Sequence, residues 1–160
     1  MRLAELNFKN NIYFLIILFI AVSIELIVKN LGMSTYGMPN LIMCVVFSFA
    51  YLKRISIWTV FIGVFSSEAF FSTTPILMSI LIMASYVYIT KIIAKGSFKQ
   101  RNFHIIVFML ISLVIYSIKI LWLFMLDQRP EVTLILIKML VTIIFFPLFY
   151  MATDNFLKRY

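Results

Sequence analysis

Charged residues are scarce in this sequence, and so are the residues that break helices or build covalent and metal-bound frameworks. Only 12% of the 160 residues are charged, and the chain has four Gly, four Pro, one Cys and one His. The single Cys44 lies inside an apolar run, which excludes a disulfide framework and argues against a metal site. No Gly- or Pro-rich linker divides the chain, so residues 1–160 are predicted to form one domain.

Apolar residues take the place of the missing polar ones. They make up 64% of the chain, whereas soluble domains are nearer half apolar and a quarter charged. A soluble protein of this composition could not cover its surface with polar groups, so lipid must take that role. The composition therefore predicts an all-α integral membrane protein, since helices satisfy their own backbone groups in a bilayer.

Six segments are apolar enough to be candidate membrane spans, because crossing a hydrocarbon core of about 30 Å takes roughly 20 apolar residues. They are residues 12–28, 36–52, 55–71, 75–90, 103–126 and 132–151. The second is the weakest, because its densely apolar part runs only from Leu41 to Leu52. Pro39 is expected in the first turn of that helix, where a missing N–H is harmless. The prediction is a polytopic, compact bundle of about six transmembrane helices.

The distribution of positive charge supports six spans with both chain ends in the cytoplasm. That topology leaves only Lys29 and Arg129 in outer loops, whereas ten basic residues are inside, as the positive-inside rule favours. The ten are Arg2, Lys9, Lys53, Arg54, Lys91, Lys95, Lys99, Arg101, Lys158 and Arg159. Omitting the second span places the basic loop of residues 91–101 outside. Fusing the second and third spans buries Lys53 and Arg54 in the membrane, at roughly 2.5–3.5 kcal/mol each.

The net charge of +8 is therefore explained by membrane orientation, and no nucleic-acid partner is predicted. The inner loops form a basic surface, which we expect to contact anionic lipid headgroups. Its members are Lys53, Arg54, Lys91, Lys95, Lys99 and Arg101. A second possibility for the same surface is the docking of a cytoplasmic partner.

Four ionisable residues lie within the predicted spans, and such residues are candidates for function because the bilayer penalises them. Glu25 and Glu68 are expected about 6 Å from the outer boundary, and Lys119 and Lys138 about 10–12 Å from it. One hypothesis is an interior polar cluster in which two acids and two bases neutralise one another. The alternative is that the lysines snorkel independently to water and the glutamates are hydrated.

Nothing in the sequence forms a recognisable catalytic, cofactor-binding or metal-binding constellation. No aspartate lies within a span, and His104 follows a basic loop at an inner helix start, where an interfacial position is expected. Glu25 and Glu68 are the only conceivable acid pair for intramembrane hydrolysis. The interpretation is a protein that is not an enzyme and holds no cofactor.

Three motifs, in this order, give the chain a resemblance to the bacterial rod shape-determining MreD family over nearly its whole length. Pro39-Asn40-Leu41 opens the second span, as a Pro-Asn or Pro-Asp pair does in that family. The third span carries Gly63 and ends in an acid, Glu68. Arg129-Pro130-Glu131 enters the sixth span. The chain departs from the family in having Glu68 where Asp is usual, and fewer glycines in the third span, so it resembles a divergent member.

The resemblance implies a non-catalytic scaffold of the cell-elongation machinery in the bacterial inner membrane. Such a scaffold would bind an MreC-like bitopic protein and, through it, link an MreB-like filament to a RodA-type polymerase and its transpeptidase. The implied fold is similar to that of the substrate-binding subunits of energy-coupling-factor transporters. The alternative function is therefore a substrate-binding subunit of a vitamin-type transporter, with Glu25, Glu68 and Lys119 lining an outward cavity.

Overall fold

Six α-helices make up the regular structure of the residues that a computed structural model of this protein describes. The structure describes residues 2–31, 37–52, 55–71, 75–94, 101–126 and 131–159, and no β-strand occurs among them. The helices are α1 (Arg2–Asn30), α2 (Leu41–Leu52), α3 (Ile57–Phe71), α4 (Pro75–Ala94), α5 (Arg101–Met125) and α6 (Val132–Arg159). The predicted all-α architecture is confirmed.

Four of these helices are long and apolar enough to cross a membrane. The qualifying stretches are Phe8–Asn30 in α1, Ile76–Ile93 in α4, Phe103–Met125 in α5 and Val132–Lys158 in α6. Large apolar side chains are exposed along all four, among them Phe19, Ile80, Leu110 and Ile144. A surface of this kind is compatible with acyl chains and not with water, and it identifies the chain as a membrane protein.

The two remaining helices are short. At 1.5 Å per residue, the 12 residues of α2 and the 15 residues of α3 extend about 18 Å and 22 Å. Both lengths are less than the hydrocarbon core of about 30 Å, so neither helix crosses it without the residues that flank it. Six complete crossings stay a prediction.

The N-terminal boundary of α2 differs from the expectation for Pro39. The helix begins at Leu41, so Pro39 lies before it and outside its first turn. Asn40 occupies the position immediately before the helix, and its side-chain oxygen accepts a hydrogen bond from the Met43 N–H at 2.9 Å. An asparagine in this position is a favourable N-cap, and its capping explains why the helix starts at Leu41.

Helix α2 forms the centre of the bundle, although hydropathy ranked it the weakest span. Every residue from Leu41 to Ala50 is buried, and α2 contacts α1, α3, α4 and α6. Helix α3 packs on α4, and α5 packs between α4 and α6. A short helix that is apolar on all sides is suited to this place, because protein rather than lipid surrounds it.

Consecutive helices run in opposite directions, which gives the bundle two distinct ends. In the first half of α1, Tyr13 contacts Phe156 close to the end of α6, with ring centroids 6.0 Å apart. Tyr51 at the end of α2 stacks on His104 at the start of α5, with centroids 4.3 Å apart. We call this the basic end, because exposed Lys9, Lys91 and Lys158 lie there, and we call the opposite end, where α2 begins, the polar end.

Candidate functional site at the polar end

Inside the polar end, the chain enters the bundle in a non-helical conformation. Pro39 and Asn40 are both buried, and α2 starts directly after them. The first N–H groups of a helix have no partner within the helix itself. Lipid cannot supply one, so irregular backbone at this depth requires partners from the surrounding protein.

Side chains from α1, from α6 and from the segment just before α2 supply those partners. The Asn40 N–H donates to Thr142 Oγ1 of α6 at 2.8 Å, and the Leu41 N–H donates to Glu25 Oε1 of α1 at 2.8 Å. The Met43 N–H bonds to the side chain of Asn40 itself. Glu25 thus places a carboxylate at the positive end of the α2 dipole, where negative charge is favoured. Helices α1 and α6 are in this way held to the start of α2.

Replacing Thr142 by valine will test this arrangement, because valine has the same shape but no oxygen. The Asn40 N–H then loses its acceptor, and an unsatisfied buried donor costs about 1–3 kcal/mol. We expect a loss of stability of that order against denaturation in detergent micelles. The control is Thr133→Val, at an exposed position of the same helix, which should change stability little. Equal effects of the two substitutions would contradict the assigned role.

Glu68 lies beside this cap, close to the end of α3. Its side chain is 3% exposed, and its Oε1 atom has no hydrogen-bond partner in the part of the chain that the structure describes. It faces a cavity of about 30 Å³. The residues lining the cavity are Glu25, Asn40, Ile42, Glu68, Met78, Tyr116, Lys119 and Lys138.

The four charged residues that the sequence places within the spans therefore line one cavity. Glu25 comes from α1, Glu68 from α3, Lys119 from α5 and Lys138 from α6. They do not form direct ion pairs. Among the described side chains, the only carboxylate within 4.0 Å of a lysine nitrogen is that of Asp154, which pairs with Lys158 at the basic end. Lys119 and Lys138 are both half-buried. Two acids and two bases give the cavity no net formal charge when all are ionised.

The residues on which the family resemblance depends fall partly at this site. Asn40 and Glu68 line the cavity, and Pro39 precedes the cap. Gly63 lies in the contact between α3 and α1, where an added Cβ would stand 2.6 Å from a methyl carbon of Leu18 and 3.2 Å from the ring of Phe14. Glycine at this position lets the two helices approach closely.

The structure describes only the last residue of the third motif, Arg129-Pro130-Glu131. Glu131 directly precedes α6, and its carbonyl oxygen accepts hydrogen bonds from Leu134 and Ile135. Arg129 and Pro130 lie outside the described residues.

Of the predicted basic surface, the structure describes the side chain of Lys91, which is exposed in the last turn of α4. Lys53, Arg54, Lys95 and Lys99 lie outside the described residues, as does the side chain of Arg101, the first residue of α5.

Sequence reasoning missed Thr142 and Tyr116. Both are neutral residues within long apolar segments, where several other hydroxyl side chains also occur, such as Ser48, Ser79 and Ser112. One signal was available for Thr142, since it follows Lys138 by four residues and so shares its helix face.

The described residues contain no group of three His, Cys, Asp or Glu side chains that could hold a metal ion. Cys44 is buried within α2. His104 lies at the basic end, where its Nδ1 is 3.4 Å from the hydroxyl oxygen of Tyr150. No protein-family model, curated protein or solved structure gives a significant match to this chain.

Proposed function

We propose that this chain is a non-catalytic membrane scaffold of the bacterial cell-elongation machinery, of the MreD type. The observation that carries the proposal is the meeting of two separate motifs of the resemblance at one site. Asn40, from the motif that opens the second span, and Glu68, which ends the third span, line the same cavity. Residues from separate motifs are expected to lie close together when they maintain the same structural feature. Here that feature is the buried start of α2.

The short connections between the helices favour a scaffold. Its connections between helices are too short to fold as separate domains, so its contacts with other proteins are made by helix faces or by the two ends of the bundle. Exposed apolar side chains are abundant on α1, α5 and α6, and such faces can pack against the membrane helices of partners. The partners we propose are an MreC-like bitopic protein and, indirectly, an MreB-like filament and a RodA-type polymerase with its transpeptidase.

The proposed orientation places the basic end in the cytoplasm of a bacterial cell and the polar end toward the outside. Lys9, Lys91 and Lys158 are all exposed at the basic end, as the positive-inside rule favours for a cytoplasmic surface. There they can contact anionic lipid headgroups.

The alternative, a substrate-binding subunit of a vitamin-type transporter, has less support. Pockets for small molecules usually measure about 300–1,000 Å³ and combine apolar walls with a few polar groups. The polar cavity measures only about 30 Å³. A larger groove of about 710 Å³ lies between α1 and α3, but its lining is almost entirely apolar and it opens to the side of the bundle. An assay that detected tight binding of a vitamin to the purified protein would reverse this ranking.

Co-purification experiments and the shape of depleted cells test the proposed scaffold function. We expect the tagged chain, solubilised in mild detergent, to retain an MreC-like protein, and we expect its depletion to turn rod-shaped cells round. A gene for an MreC-like protein immediately upstream would support the same conclusion. Normal rods with normal wall insertion after deletion, or the absence of an MreC-like protein from the purified material, would contradict it.

Glu68→Ala tests whether the cavity matters for assembly. We expect this variant to retain less of the MreC-like protein than Ser117→Ala, a control at an exposed position of α5. Equal retention at equal expression would show that Glu68 has no part in assembly.

A further inference from the structure

The polar cavity has room for a small molecule. A cavity needs about 10–15 Å³ of accessible volume to hold one water molecule. At about 30 Å³, the cavity beside Glu68 exceeds this requirement and falls far below the size of a metabolite site. One or two molecules of the size of water fit.

Two side-chain oxygens of residues that line the cavity make no hydrogen bond of good geometry within the described protein, although the side chain of Asn40 lies near both. They are Glu68 Oε1, which accepts hydrogen bonds when ionised, and the hydroxyl of Tyr116, which both donates and accepts. Both side chains are at most 3% exposed, so bulk water does not reach them. Leaving such groups without partners costs about 1–3 kcal/mol each, and buried polar atoms are therefore nearly always satisfied.

The surrounding charges define the chemical class of the occupant. Lys119, Lys138 and the start of α2 present positive charge, which disfavours a cation. Glu25 and Glu68 disfavour an anion. No lysine nitrogen lies within 4.0 Å of either carboxylate among these described side chains, so a molecule can stand between them. The occupant must be neutral, and it must both accept hydrogen bonds from an ammonium group or a hydroxyl and donate one to a carboxylate.

Water meets each of these conditions. We infer that the cavity is an internal water-binding site, in which one or two water molecules link Glu68 Oε1 to the Tyr116 hydroxyl and to the lysines on α5 and α6. The four interior charges then interact through water instead of direct ion pairs, and water completes the hydrogen bonding around the buried start of α2. This inference does not depend on the proposed scaffold function.

Solid-state NMR of the full chain in lipid bilayers tests the site. In a water-edited experiment, magnetisation passes from water protons to nearby carbons, and the build-up time reports the distance to water. We expect build-up at the Glu68 carboxyl carbon to be several-fold faster than at Cys44 Cβ. Cys44 is a suitable reference, because it is fully buried, does not line the cavity and is the only cysteine of the chain. Equal build-up at Glu68 and Cys44 would overturn the inference.

Two substitutions of Glu68 provide the matched comparison, with the Cζ carbon of Tyr116 as the reporter. Glu68→Gln keeps an oxygen acceptor, so fast build-up at Tyr116 should persist. Glu68→Met removes the acceptor and fills the space, so build-up should slow to the rate at Cys44. Unchanged build-up at Tyr116 in the methionine variant would contradict water bridging. The wild-type measurement decides the question on its own if that variant does not fold.

Discussion

Replacing Glu25 by leucine will destabilise the bundle by about 3 kcal/mol, one of the two largest losses that we expect from a single substitution. The Leu41 N–H loses its acceptor within the protein interior, and an unsatisfied buried donor accounts for about 1–3 kcal/mol. The substitution also removes one of two negative charges, so Lys119 and Lys138 are opposed only by Glu68. Breaking a set of buried, compensating charges adds to the loss.

The measurement is unfolding in mixed detergent micelles with increasing SDS, followed by circular dichroism. Glu25→Gln is the informative comparison, because the amide oxygen can still accept from Leu41 while the charge is gone. We expect the glutamine variant to lose about half as much stability as the leucine variant. If the two variants are equally destabilised, charge and not capping is the role of Glu25. If neither is destabilised, the assigned hydrogen bond does not support the fold.

Replacing Phe146 by alanine will have the second large effect, a loss of about 2–3 kcal/mol. This ring is completely buried and stacks on Phe108, with centroids 3.7 Å apart and planes inclined by 11°. Phe108 in turn contacts Phe47 of α2 edge-on, so the substitution leaves a cavity where α2, α5 and α6 meet. In water-soluble proteins the same truncation costs about 3–5 kcal/mol. The smaller value applies here because lipid chains are as apolar as the core, so mainly packing is lost.

The neighbouring residue provides a matched control for this prediction. Phe145 has the same side chain on the same helix but is 47% exposed on the outer face of the bundle. Phe145→Ala should change the free energy of unfolding by less than about 0.5 kcal/mol, as is usual for exposed positions. The same SDS titration measures both variants. A comparable loss at the two positions would show that the ring stack does not determine the stability of the core.

Sequence reasoning was most successful where the bilayer itself imposes the structure. Apolar segments of membrane length had to be helical, because every backbone group in lipid must be satisfied within its own segment. The positions of α1, α4, α5 and α6 follow from that requirement. The sequence also identified the four charges that line the cavity, since charged residues within a span are rare and stand out individually.

Hydropathy was a poor guide to α2 because it measures how well a segment suits lipid. The segment is short, and its apolar part begins only at Leu41. Its burial depends on contacts with all five other helices, which no window along the sequence can measure. Pro39 was likewise placed within the helix because proline is common in first turns, whereas the side chain of Asn40 caps the helix after it.

By itself, then, the sequence determined that this chain is an all-helical membrane protein with four charged residues inside its apolar segments. Only the tertiary structure decided what those charges do. The carboxylate of Glu25 caps a helix that begins 16 residues later, and Thr142 accepts from a backbone group 102 residues away. Hydrogen bonds depend on distances of about 3 Å and on direction. Such distances between residues far apart in the chain exist only once the helices are packed.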